Sequence, residues 1–194
     1  MSWNAMHAEK TQLQGLVVLQ PSKFSDERGW FAELWNKRAL ANLGIETAFV
    51  QDNHSVSTKA NTVRGLHYQA PPFAQDKLVR CGAGRLVDIA VDIRKGSPTF
   101  GASITVELTP QNGTQLYIPV GFAHGFITLE PETEILYKCS NFYEPRSEGS
   151  IQLFDPALGL NLGVRPEDCV LSAKDAAAPM LGDIVSPFEW QASE

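Results

Sequence analysis

From residue 15 to about residue 155, apolar and polar side chains alternate with period two in short runs, and Gly, Pro or Asn breaks each run. That is the signature of an antiparallel sandwich or barrel rather than of helices. The clearest run is "RLVDIAVDIR". Val87, Ile89, Val91 and Ile93 fall on one face and Asp88, Asp92 and Arg94 on the other, so this strand separates a dry layer from a polar one. The polar layer faces either solvent or a cavity. "GSPTFG" predicts a turn and "ASITVELT" a second alternating strand. "PQNGTQ", with Asn112-Gly113, carries the strongest short hairpin signal. "QLYIP" and "ETEILYKCSNFY" follow as strands.

Helix is sparse. "NKRALANLG" predicts one short helix, with Asn36 as N-cap and Gly44 as stop, and residues 165–180 hold a turn or two near the C-terminus. The last forty residues carry too few apolar side chains for a core of their own. They are expected to pack as a tail on the barrel, so that residues 1–194 form a single domain, with 1–12 as a flexible N-terminal extension in which His7 frays.

Composition narrows the function classes. A 43% hydrophobic and 20% charged chain of 194 residues is ordinary for a globular protein. A net charge of −6 without any Lys/Arg block argues against a nucleic-acid or anionic-membrane surface. No apolar run approaches the roughly 20 residues of a membrane span, and "MSWNAMHAEKTQLQG" lacks the apolar stretch of a cleaved signal. Cys81, Cys139 and Cys169 form no CxxC pair and are odd in number, which speaks against a disulfide framework or zinc site and for a cytoplasmic location.

The candidate chemistry starts with the four histidines. "RGLHYQ" places His67 in a predicted strand, and Pro119-x-Gly121-x-x-His124 in "IPVGFAHGF" is similar to the second motif of the cupin barrel. A metal-binding cupin would carry His-x-His in its first motif, but position 69 is Gln, which leaves a first-row metal short of ligands. A site without a bound metal is therefore the expectation. The bland alternative is that both histidines are satisfied core residues. Against it stands their company: Lys77 shares a face with Val79 and Cys81 on the next predicted strand, across from His67. Arg64 has the opposite parity, unless Gly65 forms a bulge that brings Arg64, His67 and Lys77 into one cavity.

Seven blocks, "SDERGWFAE", "QDNHS", "VRGLHYQAPPFAQDKLVRC", "VDIRKGSPTFG", "IPVGFAHGF", "EILYKCSNFYEPRSEGSI" and "LSAKDAAAP", occur in an order that resembles the dTDP-4-dehydrorhamnose 3,5-epimerase family. The resemblance spans about residues 15–182. It implies a mainly β, cupin-type jelly-roll barrel, homodimeric, with no cofactor. The implied activity is epimerisation of a dTDP-4-keto-6-deoxyhexose at carbons 3 and 5. It further implies His67 as general base oriented by Asp175, Tyr137 as acid on the other side of the sugar, and Lys77 with His124 by the ketone oxygen. The implied substrate contacts are Arg28, Phe31, Glu33, Gln51, Asn53, Arg64, Tyr143, Glu148 and Lys174, with Arg28 and Phe31 reaching in from a second subunit.

Residue types fit that chemistry. A ketone at carbon 4 acidifies the hydrogens on both neighbouring carbons, and inversion removes a hydrogen from one face and returns one to the other, which takes an acceptor and a donor on opposite walls. An imidazole with an ordinary pKa of about 6.5 accepts protons at neutral pH, and a carboxylate on its far nitrogen fixes the tautomer. Several cations suit a diphosphate. Each residue also has an ordinary reading when taken alone. Asp175 caps a short helix, Tyr137 and Tyr143 are strand aromatics, Arg28 is a turn residue, Gln51 and Asn53 bond at strand ends, and Lys77, Arg64 and Lys174 are surface charges. Asp88 and Asp92 read as structural. The competing functions are a single-carbon epimerase, a non-catalytic nucleotide-sugar binding module and a metal-dependent oxygenase.

Overall fold

The computed structural model describes residues 6–191. Two antiparallel sheets face each other in a jelly-roll arrangement. The six-stranded sheet runs β1 (Met6–Lys10), β2 (Val17–Pro21), β10 (Gln115–Ile118), β7 (Lys77–Ala83), β12 (Thr133–Cys139), β5 (Gln51–Ser57). The five-stranded sheet runs β13 (Glu148–Ser150), β6 (Val63–Gln69), β11 (Phe122–Thr128), β8 (Leu86–Asp92), β9 (Ser103–Leu108). A separate ribbon pairs β3 (Lys23–Asp26) with β4 (Gly29–Ala32).

Period-two patterning sorts each strand's side chains between two cores. Leu86 and Ala90 of β8, Val79 and Cys81 of β7, Phe122 and Phe126 of β11 and Ile135 of β12 fill the space between the sheets. The opposite face of β8, Ile89 and Val91 with Val87, continued by Ile93 just after the strand, packs outward against Ile151, Leu153, Leu158, Leu181 and Phe188. The apolar face of "RLVDIAVDIR" is therefore the outer one, covered by the C-terminal tail, and its polar face lines the interior. Asp88 and Asp92 are both fully buried there. Asp92 accepts bonds from Arg94, Ser97 and Thr99, which pins the "GSPTFG" turn.

The short helix α1 (Lys37–Asn42) begins as expected: Asn36 Oδ1 accepts from the Arg38 and Ala39 amides, and Gly44 takes a left-handed φ of 83° just after the end. A second helix, α2 (Ala173–Ala176), is capped by Ser172.

Three expectations need correction. Where the sequence predicts a loose extension over residues 1–12, the described part includes a strand. β1 pairs with β2 along its length, and Met6 is buried in a cluster with Leu19 and Leu40; one apolar anchor in "MHAEK" is too little periodicity to announce a strand. Residues 1–5 lie outside the described residues. Asn112-Gly113 does not close a hairpin between paired strands, since β9 and β10 belong to different sheets. Asn112 Oδ1 accepts from the Thr109 and Thr114 amides instead, folding the crossover compactly. Finally, Lys77 is no cross-strand neighbour of His67: β7 and β6 belong to different sheets.

Candidate active site

Strands of both sheets line two cavities of about 530 and 450 Å³ that share His67, Lys77 and Tyr137. Phe126 and Tyr137 belong both to the core and to the larger cavity, so the site grows directly out of the packing.

His67 stands on β6 with Arg64 because the strand bulges between them. His124 pairs with His67 and Phe126 with Arg64, so three residue steps on β6 oppose two on β11. Gly65 makes the bulge possible, with φ at +113° and β11 so close that a Cβ would stand 2.6 Å from Gly125 Cα and 2.7 Å from the His124 carbonyl. His67 Nε2 lies 2.6 Å from Asp175 Oδ1, and the imidazole keeps 30% of its surface open while the aspartate keeps 5%. Asp175 is not the helix cap. Ser172 takes that role and receives the Asp175 amide, leaving the carboxylate aimed at the histidine. Burial alone would raise the Asp175 pKa, but hydrogen bonds from His67 and Ser172, the His67 charge and the Gly65 backbone outweigh it and hold the carboxyl below its usual range. An ionised carboxylate accepts only, so Nε2 is the nitrogen that donates to Asp175, and Nδ1 is the one left to exchange a proton with the cavity.

Across the cavity, on the six-stranded sheet, stand Lys77 and Tyr137. Burial pushes the Lys77 ammonium below its ordinary pKa, opposed by Cys139, Asp88 and Glu148. Burial pushes the Tyr137 phenol up, which keeps it protonated at neutral pH. His124 lies beside His67 in the sheet and donates from Nε2 to Asp88 Oδ1 at 2.7 Å.

Arg64, Lys174 and Asp175 line the larger cavity; Gln51, Asn53, Tyr143 and Glu148 line the smaller. These residues are already tied to one another. Glu148 Oε2 accepts from Lys174 Nζ at 2.5 Å and from the Tyr143 hydroxyl at 3.0 Å, and Gln51 bridges Asn53 and the Tyr143 amide. Arg28, Phe31 and Glu33 line neither cavity. They sit on or just after the β3–β4 ribbon, where Arg28 pairs with Asp26 at 2.5 Å and Phe31 is 63% exposed. Gln69, in the place of a second metal-binding histidine, is spent on the backbone: its amide donates to the Phe73 and Phe142 carbonyls and accepts from the Glu144 amide. Among the described residues, no three His, Cys, Asp or Glu side chains converge as a metal site would require. Sequence reasoning missed Asp88, read as structural, and Ser172. Asp88 was visible only as the polar phase of its strand.

Fold and site together define a cupin-type β protein with an acid–base cavity between its sheets. Within that class the chain belongs to the dTDP-4-dehydrorhamnose 3,5-epimerase family, whose model matches residues 10–183. It is 52% identical over 175 residues to the dTDP-4-dehydrorhamnose 3,5-epimerase of Salmonella typhimurium, covering 89% of this chain and 93% of that one. The structure is similar, with a TM-score of 0.90 and 44% identity, to the dTDP-6-deoxy-D-glucose-3,5-epimerase of Legionella pneumophila in complex with dTDP-4-keto-L-rhamnose; 96% of this chain and 100% of that one are covered. A 3'-monoepimerase from Streptomyces bikiniensis in complex with dTDP-quinovose is also similar, at a TM-score of 0.81 and 31% identity, covering 90% and 87%.

Proposed function

We propose that this enzyme, an isomerase, epimerises dTDP-4-dehydro-6-deoxy-D-glucose at carbons 3 and 5 to dTDP-4-dehydro-L-rhamnose, on the route to dTDP-L-rhamnose. One observation carries the reading: an imidazole with its far nitrogen on a buried carboxylate lines the same cavities as a phenol and a lysine from the opposite sheet.

His67 Nδ1 takes the hydrogen from carbon 3 or carbon 5, and Asp175 stabilises the imidazolium that forms without itself taking the proton. The electron pair moves onto the ketone oxygen. Lys77 meets the resulting enolate, a preorganised contact worth on the order of 3–4 kcal/mol in a cavity shielded from water. Tyr137 returns a proton from the other face, which inverts the carbon. Arg64 and Lys174 suit the diphosphate, with Gln51, Asn53, Tyr143 and Glu148 toward the nucleoside. Arg28, Phe31 and Glu33 fit this scheme as contacts from a second subunit of a homodimer, because their ribbon is exposed and stands off the cavity of its own chain. A cytoplasmic location suits three free thiols and a nucleotide-sugar substrate. No helix among the described residues is long and apolar enough to cross a membrane.

Similarity to a 3'-monoepimerase makes the number of carbons the point to measure. In deuterated water the protein and dTDP-4-keto-6-deoxyglucose are expected to give product with solvent deuterium at both carbon 3 and carbon 5. Label at carbon 3 alone would assign a monoepimerase, and no label at either carbon would end the epimerase reading.

A further inference from the structure

The cavity holds a second imidazole–carboxylate pair. His124, 7% exposed, donates from Nε2 to Asp88 Oδ1 at 2.7 Å, and Asp88 is fully buried. Asp88 Oδ2 is the buried side-chain oxygen without a hydrogen-bond partner among the described residues. Such a carboxylate is costly unless something nearby uses its charge. The Asp88 acceptor forces the proton of His124 onto Nε2, since a carboxylate cannot donate. The ring's other nitrogen, Nδ1, then offers a lone pair to the cavity that His124 lines. Burial first, then the charges of Lys77 and His67, push the His124 pKa down against the pull of Asp88, which keeps Nδ1 unprotonated.

A ketone or enolate oxygen is itself an acceptor and cannot pair with a bare imidazole nitrogen. His124 in this tautomer therefore does not donate to the ketone, contrary to the role that the family resemblance implied for it. Lys77 is left as the donor there. What an acceptor in this place can recognise is a hydroxyl, and the keto-sugar carries hydroxyls at carbons 2 and 3. We propose that His124 Nδ1 accepts a hydrogen bond from a ring hydroxyl of the substrate and that Asp88 is the positioning residue that sets its tautomer. This rests on the epimerase reading above and adds to it a determinant of sugar specificity: the site selects for a ring hydroxyl at carbon 2 or carbon 3.

The test is a cycle of one substitution and two substrate analogues, read as kcat/KM for deuterium exchange at carbon 5, a position that every analogue retains. Wild-type protein is expected to lose about tenfold or more on the 2-deoxy or the 3-deoxy analogue of dTDP-4-keto-6-deoxyglucose, because the lone pair is left unpaired. Asp88→Asn, whose amide can reverse the tautomer, is expected to lose a similar factor on the full substrate and little more on that analogue. Independent losses that multiply for both analogues would overturn the proposal. A second reading does not depend on turnover: nitrogen-15 NMR of the imidazoles is expected to show His124 protonated on Nε2 alone in wild type and altered in Asp88→Asn. A His124 protonated on Nδ1, or on both nitrogens at neutral pH, would also overturn it. Absence of carbon-5 exchange in wild type with the full substrate would instead refute the epimerase reading, so the two failures are distinguishable.

Discussion

At the scale of single residues, the site works by opposed effects of burial on different groups. Burial lowers Lys77 and raises Tyr137, so it eases loss of the ammonium's proton and resists loss of the phenol's. Activity is expected to fall on an alkaline limb set by Lys77, below the ordinary lysine pKa of about 10.4, with its midpoint moved upward in Lys77→Arg, whose guanidinium stays charged. A limb unmoved by that substitution would take the lysine out of the enolate contact. His67→Ala should abolish exchange at both carbons, a loss of roughly 10³-fold or more, and Asp175→Asn should cost about 10²- to 10⁴-fold through the wrong tautomer, both read by proton NMR of the substrate. Much of this was legible from residue types in the seven sequence blocks. Asp88 was not, because an aspartate in the polar phase of a strand reads the same whether it meets solvent, a turn or an imidazole. Only the register of β8 on β11 brings it to His124.

At the scale of elements, two local devices hold the geometry. The β6 bulge turns Arg64 and His67 into the same cavity, and the sequence announced it through a glycine at a parity break. Gly65→Ala would drive a methyl into the β11 backbone at a φ that favours glycine, and should cost about 3 kcal/mol or more and impair exchange, measured by denaturant unfolding and turnover together. The other device is the Asp92 turn, where one fully buried carboxylate gathers Arg94, Ser97 and Thr99. Burial would raise the Asp92 pKa, but these bonds more than reverse that and hold it below its usual value. A carboxyl depressed in the folded state stabilises above its unfolded pKa of about 3.9 and loses that contribution as pH falls through the folded value. Unfolding midpoints are therefore expected to drop as pH falls below about 4, less steeply in Asp92→Asn, itself less stable at neutral pH. An unchanged slope would show that Asp92 carries none of it. Asn112-Gly113 shows the limit of local signals: the dipeptide forces a turn, but which strands flank that turn is settled by sheet assembly, and here it joins two sheets.

At the scale of the whole molecule, function depends on two sheets meeting face to face. Period-two alternation foretold strands and two kinds of face, yet could not say that the drier face of β8 looks outward beneath the tail, because burial alone does not distinguish a tail-covered face from an interior one. Nor could it foretell that Lys77 and His67 face each other from different sheets. The exposed ribbon bearing Trp30, at 55% exposure, and Phe31 is the surface expected to engage a second subunit. Sedimentation should give twice the chain mass of 21.3 kDa, and Phe31→Ala should raise KM with little change in kcat; a species at the single-chain mass would contradict the dimer. The central claim is that base and acid act from opposite sheets, and Tyr137→Phe in deuterated water tests it most directly. Removing only the phenol's proton should let His67 go on exchanging hydrogen at carbons 3 and 5 while inversion slows by roughly 10²-fold or more. Exchange and inversion falling together, or inversion at the wild-type rate, would contradict it.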